Sequence, residues 1–177
     1  MNPEETEKQA TALYKHVKDL SMWKYDSEIK REDSLIQQSS NMQTAFSFMT
    51  AAVFMAVPIL IEYRGSLSLE FFLLSTSSVI LFLLVSLITA SLAQRRVLYK
   101  SLQSIPEIHQ FVIDNWQECL SEAQQMKQWV GALGEIQIRK AEVNKERILL
   151  ICTSMTSFFI SIALIILGFV VAIAKII

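Results

Sequence analysis

The chain has 177 residues, of which 52% are hydrophobic and only four are glycine, and its formal net charge is −1. This composition differs from that of an average soluble domain, and the balanced charge offers no basic bias for binding duplex DNA. The apolar residues concentrate in three runs separated by polar stretches. The sequence therefore predicts an all-α protein that crosses a membrane three times.

Residues 1–43 precede the first apolar run and predict an amphipathic helical arm. The chain opens with Asn, Pro and two glutamates, which is typical of a helix start. Leu13, Val17 and Leu20 then recur at helical spacing. We expect a break or bend toward Ile29 and an end in the polar stretch before the membrane.

The three apolar runs are residues 44–61, 71–93 and 148–174. About 20 apolar residues suffice to cross the hydrocarbon core, so the second and third runs are long enough and the first only just. For the first run, which contains Pro58, a buried helix of a soluble protein stays open as an alternative. No charged residue lies inside any run, which disfavours a proton relay, a voltage sensor or a coupled transporter.

Fourteen of the 16 lysines and arginines lie in the arm and in residues 94–147, whereas the loop of residues 62–70 and residues 175–177 hold one each. Because cytoplasmic segments carry the excess of positive residues, the arm and residues 94–147 are predicted to be cytoplasmic. The loop and residues 175–177 then lie outside a bacterial inner (plasma) membrane.

Within residues 94–147, apolar residues alternate spacings of four and three, which is the pattern of a coiled-coil seam. The seam comprises Val112, Trp116, Cys119, Ala123, Met126, Val130 and Leu133. A helix with one apolar stripe needs a partner. That partner is either the arm or the same helix of another subunit, so a cytoplasmic helical bundle and a homo-oligomer are expected.

Polar small residues form a face on each of the last two spans. The faces comprise Ser75, Ser78, Ser86 and Thr89 in the second span, and Ser154, Ser157, Ser161 and Gly168 in the third. Such faces line pores between subunits. They also serve as packing surfaces whose hydroxyls bond to nearby backbone, which is the more common case. Both interpretations stay open at this stage.

A second group of candidates is a cytoplasmic basic collar near the membrane. It comprises Arg95, Arg96, Lys100, Arg139, Lys140, Lys145 and Arg147. These cations could bind the phosphates of a nucleotide or an anionic lipid. Membrane insertion alone also places cations at cytoplasmic span ends, and we favour that interpretation.

Catalytic chemistry has little support in the sequence. The two histidines, His16 and His109, are far apart, and no nucleophile, phosphate-loop or metal-ligand motif is present. Cys119 and Cys152 have no metal-like spacing. We expect no enzyme, no cofactor and no metal, and a lipid-active or nucleic-acid-cleaving enzyme is the least favoured class.

The order of elements resembles that of a known group of proteins. A cytoplasmic helix with Trp23, Lys24 and Tyr25 leads through a polar run into a two-span hairpin and then a long helix. This arrangement resembles the SLATT-type membrane effectors of bacteria. The entry to the third span, Lys140 to Ile151 (KAEVNKERILLI), makes the chain similar also to the membrane effector of the Hailong antiphage system.

The resemblance implies a membrane pore or channel that acts in antiphage, abortive-infection defence. It also implies control by a nucleotide or oligonucleotide signal that a partner nucleotidyltransferase makes. It transfers no role to any single residue. The expected function is therefore a homo-oligomeric pore gated through the cytoplasmic helices, and the alternative is a non-conducting membrane adaptor that recruits a cytoplasmic partner.

Overall fold

The structure, a computed structural model, describes residues 3–62, 68–95 and 121–176. It contains three α-helices in these ranges: α1 (Pro3–Glu62), α2 (Leu69–Ala93) and α3 (Glu122–Ile176). All regular structure in the described part of the chain is helical, which confirms the predicted all-α class. Each helix is long and apolar enough to cross a membrane by its length and composition.

Helix α1 runs without interruption from the arm through the first apolar run. The break considered near Ile29, and an end in the polar stretch before the membrane, were wrong. Relative to alanine, each glutamine, serine or asparagine lowers the stability of a helix by no more than about 0.7 kcal/mol. Local bonds also support the polar stretch, because Gln37 donates to the Asn41 side chain at 3.1 Å and Thr44 donates to the Ser40 carbonyl. Pro58 lies inside the helix, which continues to Glu62.

Helix α2 begins with a side-chain cap. Ser68 has an extended backbone, and its hydroxyl accepts a hydrogen bond from the Phe71 N–H at 3.4 Å. Glu70 in the first turn faces the positive end of the helix dipole. These two features fix the start of the second apolar helix.

The described residues fall into two compact units. Unit 1 holds residues 3–32 and 121–144, and unit 2 holds residues 33–62, 68–95 and 145–176. Helices α1 and α3 therefore contribute residues to both units, whereas the described α2 belongs to unit 2 alone.

Unit 2 is a three-helix bundle whose interior combines small side chains, such as those of Ser86 and Ser154, with the larger Phe46 and Leu83. Helix α2 is antiparallel to α3, because Ser86 bonds to Ser154 while Ser75 faces Gly168 further along the pair. The Phe46 ring of α1 stacks on the Phe158 ring of α3 with centroids 4.3 Å apart. Most large apolar side chains point outward, as expected for helices surrounded by lipid tails.

Unit 1 pairs the first part of α1 with the first part of α3. The two helices run parallel, since Lys18 lies over Trp129 and Glu28 bonds to Asn144 further along both helices. Ala123 and Leu133 are the buried apolar residues of the described part of this unit.

Candidate functional site

A largely buried ion pair joins the two helices of unit 1. The Lys140 ammonium donates to the Glu32 carboxylate at 2.8 Å, and only 12% and 13% of the two side chains are exposed. The ammonium also lies 5.8 Å from the centre of the Tyr25 ring, within cation–π range. A pair so shielded from water interacts more strongly than a surface pair, and removal of one partner leaves a poorly solvated charge.

The ion pair is extended by an amide next to it. Asn144 is fully buried, and its side-chain amide donates to the Glu28 carboxylate at 2.9 Å and to the Glu28 carbonyl at 3.2 Å. Glu28 also lies 3.6 Å from the Arg31 guanidinium. We call Tyr25, Glu28, Glu32, Lys140 and Asn144 the polar layer. Each of its acids bonds to a different residue of α3, which fixes the register between α1 and α3.

The structure places the predicted collar residues in three different situations. Lys140 belongs to the polar layer, and Arg147 is 3% exposed, with its guanidinium donating to the Arg95 carbonyl at 3.0 Å. Arg95, Arg139 and Lys145 are exposed. Arg96 and Lys100 lie outside the described residues. An anionic headgroup or phosphate in solvent therefore meets the exposed cations, not the charged groups of Lys140 and Arg147.

The serine faces of the last two spans meet inside a single chain. Ser86 donates to the Ser154 carbonyl at 3.0 Å, Ser154 donates to the Ser86 carbonyl at 2.7 Å, and the two hydroxyl oxygens are 3.3 Å apart. Both residues are fully buried. This reciprocal pair requires close backbones, which only small side chains permit.

The other members of the two faces are also placed by the structure. Ser157 and Ser161 are buried, and Ser161 donates to the Phe158 carbonyl at 2.7 Å. A side-chain carbon added at Gly168 would lie 3.5 Å from the Ser75 hydroxyl. The half-buried residues Ser78 and Thr89 donate to carbonyls of their own helix, at Leu74 and Val85.

A polar contact between α1 and α2 was not anticipated from the sequence. The buried Ser39 donates to the Ala90 carbonyl at 2.6 Å, and the Gln43 amide donates to the Ser91 hydroxyl at 3.0 Å. Phe46 and Thr50, both buried, continue this face of α1. Ser39, Gln43, Phe46 and Thr50 follow one another at spacings of four, three and four residues, which places them on one helical stripe. This spacing is the sequence signal that could have predicted the contact.

The described part of the predicted seam lies toward the interior of unit 1. Ala123 and Leu133 are buried, and Met126 and Val130 are half-buried. Val112, Trp116 and Cys119 lie outside the described residues. The described seam residues are thus largely covered within one chain.

Unit 2 contains an apolar cavity of about 450 Å³. All three helices line it. The lining residues include Val57 of α1, Phe72 of α2 and Leu164 of α3, and Gly168 leaves open space because it has no side chain. Ser75 and Thr76 are its polar side chains. Such a lining offers few hydrogen-bond partners for water or ions.

No family model, no curated protein and no solved structure matches this chain. The geometry of the two units and the resemblance in element order are therefore what bears on the function.

Proposed function

We propose that this chain is the subunit of a homo-oligomeric, channel-type membrane effector of bacterial antiphage defence, gated through helices outside the membrane. One observation carries the proposal: α1 and α3 each belong both to the apolar unit 2 and to the polar unit 1. A change at a helix of unit 1 therefore acts on the same continuous helix that contributes to unit 2. The antiphage role follows from the resemblance to SLATT-type and Hailong membrane effectors.

Conduction through this protein would require several copies. The hydroxyls of Ser86 and Ser154 are engaged with each other inside one chain, and the cavity of unit 2 is apolar. A water-filled path needs polar groups or backbone carbonyls along its whole length. Exposed polar side chains of the apolar helices, among them Ser77, Thr153 and Thr156, would line such a path between subunits, with the buried serines holding each subunit together.

The polar layer is the proposed gate. Its largely buried ion pair has few intermediate arrangements, because the 2.8 Å contact between Lys140 and Glu32 is either made or broken at a site that water reaches poorly. The proposed trigger is a nucleotide or oligonucleotide made by a partner nucleotidyltransferase. The proposed orientation places unit 1 in the cytoplasm and the C-terminus outside the inner membrane, as the distribution of lysine and arginine favours.

Ion flux from liposomes tests this function. The full-length chain is reconstituted, its particle mass is measured in nanodiscs, and release of potassium is followed. We expect an oligomer, and we expect Glu32→Lys to change the flux at least severalfold while Glu32→Lys with Lys140→Glu returns it toward the unmodified rate. The control is Asp33→Lys, which makes the same charge change at an exposed neighbour.

Two outcomes would contradict the channel. A strictly monomeric particle removes it, and so does flux that is absent from every variant, including those with a broken ion pair. If the protein is an oligomer and its flux is the same with the ion pair intact or broken, the channel proposal stands and the proposed gate is rejected.

A non-conducting adaptor is the second candidate function. It is favoured by Trp23, which lies on the arm with 70% of its surface exposed, together with the exposed Leu13 and Leu20. An adaptor predicts no flux and no loss of membrane potential on over-expression, with capture of one defined cytoplasmic protein that is lost in Trp23→Ala.

A further inference from the structure

An apolar stripe on the arm of α1 lies outside the contact with α3. Leu13, Leu20 and Trp23 are 63%, 53% and 70% exposed. They recur with His16 at spacings of three, four and three, which is the seam pattern of a coiled coil. The contact with α3 uses another side of the helix, at Lys18, Tyr25 and Glu32.

The charges beside this stripe follow the same seven-residue repeat. With Leu13 and Leu20 at position a, Asp19 and Asp26 occupy position g, and Lys24 and Arg31 occupy position e. All four are exposed, and Arg31 also lies 3.6 Å from Glu28 of its own helix. Acids thus line one flank of the stripe and bases line the other.

The charges on the two flanks are complementary to those of a second copy of the same helix in parallel orientation. When two identical helices pair in parallel, position g of one helix meets position e of the other, five residues further along. Asp19 then meets Lys24 of the second copy, and Asp26 meets Arg31, on both sides of the seam. Antiparallel pairing would instead bring acids against acids and bases against bases.

We propose that the stripe of Leu13, Leu20 and Trp23 is a docking surface for the equivalent stripe of a second copy of this chain, in parallel orientation. Copies that share one insertion orientation present their arms on the same side of the bilayer. The apolar stripe spans about one and a half seven-residue repeats and would be weak for free peptides. Confinement of both copies to one membrane raises their effective concentration and offsets this weakness.

The inference deepens the proposed function and depends on its self-association, but it names a contact that the channel does not require. The test uses the full-length chain in liposomes with Cys119 and Cys152 replaced by serine. Leu20→Cys reports on the seam. Met22→Cys is the matched control, because Met22 is an exposed apolar residue of the same helix away from the stripe. A copper–phenanthroline oxidant forms the disulfide between copies.

We expect the cysteine at position 20 to cross-link about tenfold faster than the one at position 22. Lys24→Asp with Arg31→Asp should slow the cross-link by about tenfold, because two pairs on each side of the seam become repulsive. Adding Asp19→Lys and Asp26→Lys should restore the rate. Lys15→Asp, a charge reversal at an exposed position away from both flanks, should leave it unchanged.

If the quadruple variant recovers the cross-linking rate, the slower rate of the double variant was due to charge repulsion and not to loss of folding. Equal cross-linking at positions 20 and 22, or no restoration, would overturn the seam. If the particle is still an oligomer in that case, the proposed channel survives with another interface, whereas a monomeric particle removes both. Binding of a soluble protein to the arm without cross-linking would overturn the seam and favour the adaptor.

Discussion

The two units of this protein bury polar groups of different kinds. In unit 1 the contact between α1 and α3 holds an ammonium, a carboxylate and an amide, at Lys140, Glu32 and Asn144. In unit 2 the contact between α2 and α3 holds the hydroxyls of Ser86 and Ser154. Both sets lie between helices, and both are largely or fully hidden from solvent.

This is the difference that lipid around unit 2 and water around unit 1 would produce. A charged side chain at the centre of a membrane helix costs about 2.5–3.5 kcal/mol, so bonds between spans are made by neutral groups. A serine hydroxyl is also short enough to reach a neighbouring backbone carbonyl at close helix spacing. A lysine side chain is longer and keeps its charged end closer to water, and the Lys140 side chain is 12% exposed.

The largest expected effect comes from breaking the ion pair of unit 1. Glu32→Ala should lower the free energy of unfolding by about 3 kcal/mol, because Lys140 keeps a charge in a position shielded from water. Thermal unfolding in detergent, followed by circular dichroism, measures the change. Asp33→Ala removes an exposed acid next to it and should cost no more than about 0.5 kcal/mol. If both variants lose the same free energy of unfolding, the ion pair contributes no more to stability than an exposed acid does.

A smaller effect is expected from the serine pair of unit 2. Ser86→Ala and Ser154→Ala should each lower stability by about 1 kcal/mol, and the double variant should lose less than the sum of the two. The coupling should be about 0.6 kcal/mol, typical of hydrogen bonds between membrane helices. Ser77→Ala, at an exposed position of α2, is the control with no expected change. Strict additivity would mean that the two hydroxyls act independently.

The smallest effect distinguishes the glycines of the two units. No atom lies within 4 Å of a side-chain carbon added at Gly131, whereas one added at Gly168 would make ordinary contact with Ser75 at 3.5 Å. Gly131→Ala should therefore raise stability by up to about 1 kcal/mol through helix propensity. Gly168→Ala should be neutral or raise stability slightly less. A loss above about 1 kcal/mol at Gly168 would show that α2 and α3 approach more closely than this.

Much of the fold could be predicted from the sequence, because the length of a membrane-crossing apolar run is set by the thickness of the hydrocarbon core. Three uninterrupted apolar runs predict three helices of spanning length, and the structure has them. The continuity of α1 was missed because serine, asparagine and glutamine favour loops only weakly. In a long helix their local preference is overridden by bonds such as that of Ser39 to the Ala90 carbonyl.

The candidate sites were less predictable because their partners are distant in sequence. The serine faces could be read from helical spacing, but a face that packs and a face that lines a pore have the same period. Lys140 was assigned to a basic collar because its neighbours are cationic. Its bond to Glu32, 108 residues away, has no local signature. The register of α1 against α3 decides that pairing, and only the three-dimensional structure contains it.

The threonines of the apolar helices have one further property. Thr153 and Thr156 are exposed on α3, and each donates its hydroxyl hydrogen to a carbonyl four residues earlier, at 2.9 Å. A hydroxyl has one hydrogen to donate and two lone pairs. Toward their surroundings these two hydroxyls therefore present lone pairs and no hydrogen. A water molecule, a cation or a neighbouring helix that bonds to either hydroxyl oxygen must therefore supply the hydrogen or the positive charge.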